Sequence, residues 1–79
     1  MVTPAQQQKR LVKRIKSLLA DKPPEVQGAA LAELLAIYLA GHAPKFRDMV
    51  LVLHVDVARG LVPACEAEIF PNGLPEEWT

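Results

Sequence analysis

Residues 24–40, PEVQGAALAELLAIYLA, decide the fold of this chain. Ala and Leu dominate the segment, Pro24 and Glu25 are typical of a first helical turn, and Gly41 follows as a helix stop. In the rest of the segment the one charged side chain is Glu33. A helix that is apolar on nearly every side is normally surrounded by other elements. The segment therefore predicts a buried central helix over about 24–40 in an all-α fold.

An amphipathic helix is expected before this segment, over about 4–20. Thr3-Pro4-Ala5-Gln6 has the spacing of a capping box with Pro at the first helical position, and Lys22-Pro23-Pro24 ends the helix. At 100° per residue its apolar side chains fall within about 120° of one another. They are Leu11, Val12, Ile15, Leu18 and Leu19.

A third helix is expected over about 44–62, from Pro44 to the residue before Pro63. It carries two apolar stripes. The main stripe is predicted to form the intramolecular core and consists of Phe46, Met49, Val50, Leu53, Val57 and Leu61. The second stripe is predicted to be a dimer interface and consists of Leu51, Val55, Ala58 and Val62.

The remaining residues are less regular. A short fourth helical turn is expected within 64–69, and Pro71-Asn72-Gly73 is typical of a turn. Phe70 and Trp78 are expected to anchor an irregular C-terminal strap that folds back over the chain's own core. No internal repeat is apparent, and residues 1–79 are predicted to form a single helical domain.

The charge of the chain is polarised. Residues 1–22 hold six of the nine Lys and Arg residues against a single acid, Asp21, so this end carries +5 although the whole chain is neutral. A face of this kind is a solvated surface or binds nucleic acid, an acidic protein partner or an anionic membrane surface. No aromatic side chain is interleaved with the cations, so neither base stacking nor membrane insertion is supported. The candidate residues for binding a partner or phosphate are Lys9, Arg10, Lys13, Arg14 and Lys16.

The second and third helices do not resemble a helix-turn-helix reader of DNA. The recognition helix of a helix-turn-helix protein directs polar side chains at base edges, whereas the third helix of this chain has apolar stripes. It also carries Asp48 and Asp56, which a phosphate backbone repels.

No residue pattern indicates catalysis, a cofactor or a metal. His42, His54 and Cys65, with Asp56, are the one conceivable ligand set, but they lack the close pairs that zinc sites show. The acids beside Cys65 disfavour a reactive thiolate. A lone charge in an apolar helix is costly to bury, so Glu33 is expected to reach the surface or to pair with Arg47 or Arg59. We therefore expect no enzyme activity.

Small size favours self-association. A chain of 79 residues buries only about 60% of its unfolded surface, and its single cysteine excludes an internal disulfide. We expect a homodimer that acts as a non-enzymatic interaction module, an adaptor or regulator with an unidentified protein partner. The alternative is a nucleic-acid-binding regulator that uses the basic N-terminal helix. No apolar run is long enough to cross a bilayer, and a cytoplasmic location is expected.

Overall fold

A computed structural model describes residues 1–78 of the chain, and all regular structure in that range is helical. Helix α1 spans Pro4–Leu19, α2 spans Pro24–Ala40 and α3 spans Arg47–Ile69. Two 3₁₀ turns accompany them, Pro44–Phe46 before α3 and Glu76–Trp78 near the C-terminus. The prediction of a small all-α protein with three main helices is confirmed.

The start of α1 has the predicted capping box. The backbone N–H of Gln6 donates to Oγ1 of Thr3 at 3.2 Å, and the backbone N–H of Thr3 donates to Oε1 of Gln6 at 2.9 Å. Two N–H groups that the helix itself leaves without acceptors are thereby satisfied.

Helix α3 is longer than the sequence predicted. The 3₁₀ turn over Pro44–Phe46 leads into it, and the helix then passes through Pro63 and ends at Ile69. The predicted end at residue 62 and the separate fourth turn are therefore wrong. Proline removes only its own N–H from the hydrogen-bond ladder, and the helix-forming residues on both sides keep theirs. The last bond runs from the N–H of Phe70 to the carbonyl of Glu66 at 2.8 Å.

A side chain from the next element caps the C-terminal end of α1. Nε2 of Gln27 donates to the carbonyl oxygens of Leu19 and Lys22, both at 2.9 Å. The last carbonyl groups of a helix have no N–H partner within the helix, and Gln27 supplies a donor. The two bonds also connect the end of α1 directly to the second turn of α2.

An arginine caps the C-terminal end of α2 in the same way. Nε of Arg47 donates to the carbonyl oxygens of Leu39 and His42 at 3.1 Å, and its Nη2 donates to that of Ala40 at 3.0 Å. The guanidinium also places a positive charge at the negative end of the helix dipole. Arg47, which the sequence suggested as a partner for Glu33, is instead a helix cap. Glu33 was expected either to reach the surface or to pair with an arginine, and it is exposed at the surface.

The two connections between the main helices are alike in their hydrogen bonds, and we call residues 19–27 the first corner and residues 39–47 the second corner. Residues 19–27 read LADKPPEVQ and residues 39–47 read LAGHAPKFR, with Leu, Ala and Pro in matching places. In each corner the ninth residue donates to the carbonyls of the first and the fourth. This likeness lies in the hydrogen bonds, and because only three of the nine positions are identical, the expectation that the chain lacks an internal sequence repeat stays a prediction.

The chain divides into two units, Met1–Ile37 and Tyr38–Thr79, of which the structure describes residues up to Trp78. The first unit contains α1, the first corner and most of α2. The second contains the last residues of α2, the second corner, α3 and the C-terminal segment. The single domain over residues 1–79 stays a prediction.

No residue between 1 and 78 is buried. The accessible surface is 7160 Å², whereas a folded monomer of 8.7 kDa has about 4,700 Å². Met49 and Leu53 of the main stripe are 63% and 57% exposed, and Ile37 of α2 is 62% exposed. The prediction that α2 and the main stripe form an intramolecular core is therefore wrong. An all-round apolar helix needs neighbours on every side, and one chain of this length supplies too few.

Candidate interaction surface

The second stripe of α3 is accessible along its length. Val62 is 57% and Val55 36% exposed, Ala58 is exposed, and Leu51 is half-buried. These residues repeat at intervals of four, three and four, which places them on one side of the helix. The face predicted to bind a second copy is thus open in the single chain, and its role as an interface stays a prediction.

The stripe continues beyond Pro63. Because α3 reaches Ile69, Cys65 and Ile69 extend the same line, and the spacing from Leu51 onward becomes four, three, four, three and four. Alternation of this kind is the seam of a coiled coil. The predicted stripe lacks these two residues because Pro63 predicts a helix end, although the spacing of apolar residues continues unbroken across it. We call the line from Leu51 to Ile69 the α3 seam.

An apolar groove of about 390 Å³ lies at the C-terminal end of the α3 seam. Phe70 and Trp78 pack edge to face, with ring centroids 5.4 Å apart and planes at 76°. Trp78 is nevertheless 63% exposed and Ile69 is 68% exposed. We call this the C-terminal groove; its lining residues are Val62, Cys65, Glu66, Ile69, Phe70, Leu74 and Trp78.

A tight turn brings the C-terminal segment to this groove. Gly73 has a φ of 92°, a left-handed conformation that glycine adopts without steric cost, and its N–H donates to the carbonyl of Phe70 at 3.0 Å. The N–H of Trp78 donates to the carbonyl of Pro75 at 3.0 Å. The C-terminal strap and the last turns of α3 therefore line the groove together. The strap was expected to cover an intramolecular core, but residues 1–78 contain no buried core.

The basic side chains of α1 are solvent-exposed. Within residues 1–78 none of the candidate cations Lys9, Arg10, Lys13, Arg14 and Lys16 makes an ion pair. The ion pair that the structure records joins Lys22 to Asp21 at 3.5 Å, between two exposed side chains. The positive charge of α1 is thus available to a partner, while the groove end of α3 is acidic, with Glu66 and Glu68 in its last turns.

One edge of α1 combines this charge with apolar surface. Leu18 is 72% exposed and Leu11 56%, whereas Ile15 and Leu19 are half-buried. Arg14 lies between the two exposed leucines on the same edge at 100° per residue. A shallow depression of about 320 Å³ occurs there, lined by Lys13, Arg14, Ser17 and Leu18.

Both histidines pack against Tyr38. The rings of His42 and His54 lie edge to face on it, with centroids 4.8 and 5.1 Å away. Nδ1 of His42 bonds the carbonyl of Tyr38 at 2.8 Å, and Nδ1 of His54 bonds that of Val50 at 2.7 Å. The hydroxyl of Tyr38 lies 3.4 Å from Nε2 of His54.

This arrangement orients the two rings without assembling the metal set considered from sequence. In the described part of the chain, no group of three or more His, Cys, Asp or Glu side chains is arranged to hold a metal ion. Cys65 is exposed in the C-terminal groove instead.

Comparisons with protein-family models, curated proteins and solved structures find no match to this chain. None of the helices in residues 1–78 is both long and apolar enough to span a membrane.

Proposed function

We propose that this protein is a small non-enzymatic interaction module, an adaptor or regulator of the cytoplasm, that works as a homodimer through the α3 seam. The observation that carries the proposal is the accessible surface of 7160 Å² in a chain without a buried residue among those described. It exceeds the area of a folded monomer by roughly 2,450 Å² per chain. Two copies together hold about 4,900 Å² of such surface, which lies in the range of obligate homodimer interfaces.

The seam has a spacing that suits a two-fold axis. If two α3 helices run antiparallel with the axis between Asp56 and Val57, Leu51 of one copy lies opposite Val62 of the other. Val55 then lies opposite Ala58, so each of the four residues from Leu51 to Val62 meets an apolar residue of the other copy. Such self-complementarity is what an isologous interface requires.

Light scattering tests the dimer directly. We expect a dimer for the wild-type chain and a monomer for Leu51→Glu combined with Val55→Glu, since the axis brings four carboxylates into one apolar contact. The matched control combines Val52→Glu with Arg59→Gln, which changes the charge equally on the polar side of α3 and should leave the dimer intact. A wild-type chain that is monomeric at high micromolar concentration would refute the proposal.

A second candidate function is nucleic-acid binding by α1, supported by five exposed cations without ion pairs. Binding that neutralises about five phosphates should weaken by orders of magnitude between low and moderate salt. Titration of labelled DNA and RNA at about 50 mM and about 200 mM salt measures this slope. Absence of binding at the lower salt concentration would exclude this function.

A further inference from the structure

In the proposed homodimer, on which this inference rests, we infer that the C-terminal groove of each copy binds helix α1 of the other copy, antiparallel to α3. The two helices meet through Leu11, Arg14 and Leu18 on one side and Val62, Glu66 and Ile69 on the other. The occupant of the groove is therefore a second copy of this chain.

The α3 seam alone leaves the groove without a mate. The two-fold register that pairs Leu51 with Val62 places Asp48 opposite Cys65 and Pro44 opposite Ile69. Neither Asp48 nor Pro44 belongs to the apolar seam of the second copy. A different helix is needed to cover the exposed side chain of Ile69 and the ring of Trp78.

The exposed edge of α1 matches the groove in spacing. From Leu11 the next positions follow after three and seven residues, at Arg14 and Leu18. From Ile69 the positions three and seven residues back along α3 are Glu66 and Val62. Both sets span about 10 Å along the helix axis at 1.5 Å per residue. An antiparallel pair thus places Leu11 beside Ile69, Arg14 beside Glu66, and Leu18 beside Val62.

Charge and exposure match as well. Residues 1–22 carry +5, and no Lys or Arg follows Arg59, so the groove end of the chain is purely acidic. The leucines of the α1 edge and the groove residues Val62 and Ile69 are all more than half exposed in the single chain. Burying these four with an ion pair between them forms an apolar contact whose orientation the charges select.

Exchanging the two charges tests this contact. Arg14→Glu and Glu66→Arg each place like charges in both symmetry-related contacts, and each should weaken its own homodimer roughly 10- to 100-fold. In an equimolar mixture, the mixed dimer has one contact between the introduced glutamate and the introduced arginine. Its other contact joins the native Arg14 to the native Glu66, so the mixed dimer should regain wild-type affinity. Sedimentation velocity with one variant fluorescently labelled measures both results.

Two further variants serve as controls. Lys9→Glu makes the same charge change about 170° around α1 from the leucine edge, and Asp56→Arg does so on the polar side of α3. Both should change the dimer dissociation constant less than about twofold. Far-ultraviolet circular dichroism confirms that every variant keeps its helices.

The single tryptophan reports on the groove independently. Trp78 is the one tryptophan of the chain, so its emission should shift to the blue as wild type dimerises and should stay red-shifted in either charge variant alone.

The outcomes separate this inference from the proposed function. If the wild type is a dimer and neither charge reversal weakens it, the homodimer is supported and the groove contact is overturned. A chain that carries both Arg14→Glu and Glu66→Arg could regain wild-type affinity while the mixture does not. That result would show that α1 binds the groove of its own copy, and it would also overturn the groove contact between copies. A monomeric wild type overturns both.

Discussion

Replacing Arg47 by alanine should destabilise the fold more than any other single change at a polar side chain of α3. The guanidinium donates three hydrogen bonds to the last carbonyls of α2 and its connection, on Leu39, Ala40 and His42. Alanine supplies none, so the carbonyls of Ala40 and His42 then rely on water, and that of Leu39 keeps the N–H of His42 at 3.0 Å as its donor. Arg47 is half-buried, so solvent replaces the lost bonds incompletely.

The size of the effect follows from the bonds. A hydrogen bond to a charged group contributes about 1.5–3 kcal/mol in isolation, but three bonds from one partly exposed group are not additive. Loss of the favourable charge at the helix end adds about 0.3–1 kcal/mol. We expect a decrease of about 3 kcal/mol in the free energy of unfolding, which for a domain of this size lowers Tm by roughly 12–24 °C.

Three variants serve for comparison. Arg47→Gln reproduces the donor found in the first corner and should restore the bonds to Leu39 and His42, so we expect about half of the loss. Gln27→Ala removes two neutral bonds and should cost about 1–2 kcal/mol. Arg59→Ala removes an exposed arginine of the same helix for which the structure records no hydrogen bond or ion pair, and should change stability by less than about 0.5 kcal/mol.

Thermal and urea unfolding monitored by far-ultraviolet circular dichroism measure these differences. All variants are compared at one chain concentration, because the Tm of a dimer depends on it. Equal stability of Arg47→Ala and wild type, or an equal loss in Arg59→Ala, would show that the cap does not stabilise the corner.

Other substitutions test the remaining backbone features by the same unfolding measurements. Thr3→Ala removes the side-chain half of the capping box and should cost about 1 kcal/mol, with unchanged stability as the contrary result. Gly28→Ala lies inside α2, where an added Cβ meets nothing within 4 Å, and should stabilise the chain by about 0.5–1 kcal/mol, with a loss of stability as the contrary result. Gly73→Ala should cost about 1–2 kcal/mol because φ is 92°, and no loss would contradict the left-handed turn. Pro63→Ala restores an N–H that can bond the carbonyl of Arg59 and should stabilise α3 by up to about 3 kcal/mol; a loss of helicity would contradict a helix that passes through residue 63.

Local chemistry determined the helices that the sequence predicted well. The capping box at Thr3 and the prolines at positions 23 and 24 act within a few residues, so the bounds of α1 and α2 agree with the predicted ones to within one residue. The end of α3 differs for the same kind of reason. A proline is a strong local stop in statistics, but it removes only one hydrogen bond, and the residues beyond Pro63 sustain the helix to Ile69.

The candidate surface was predictable in part. Periodicity alone identified Leu51, Val55, Ala58 and Val62 as one face of the third helix. It did not include Cys65 and Ile69, because their membership depends on the helix continuing. The caps from Gln27 and Arg47 were also missed, since each bonds carbonyl groups across the connection between two helices, and helical periodicity does not specify such contacts.

The sequence by itself determined which faces are apolar and where the charge lies, because side-chain chemistry and helical period are properties of the chain. Only the tertiary structure decided which of those faces the chain covers. The hydrophobic effect rewards removal of apolar area from water without regard to what covers it, so an amphipathic pattern does not distinguish an intramolecular core from an intermolecular contact. Most of the main stripe of α3 and most of α2 stay exposed in the single chain for that reason.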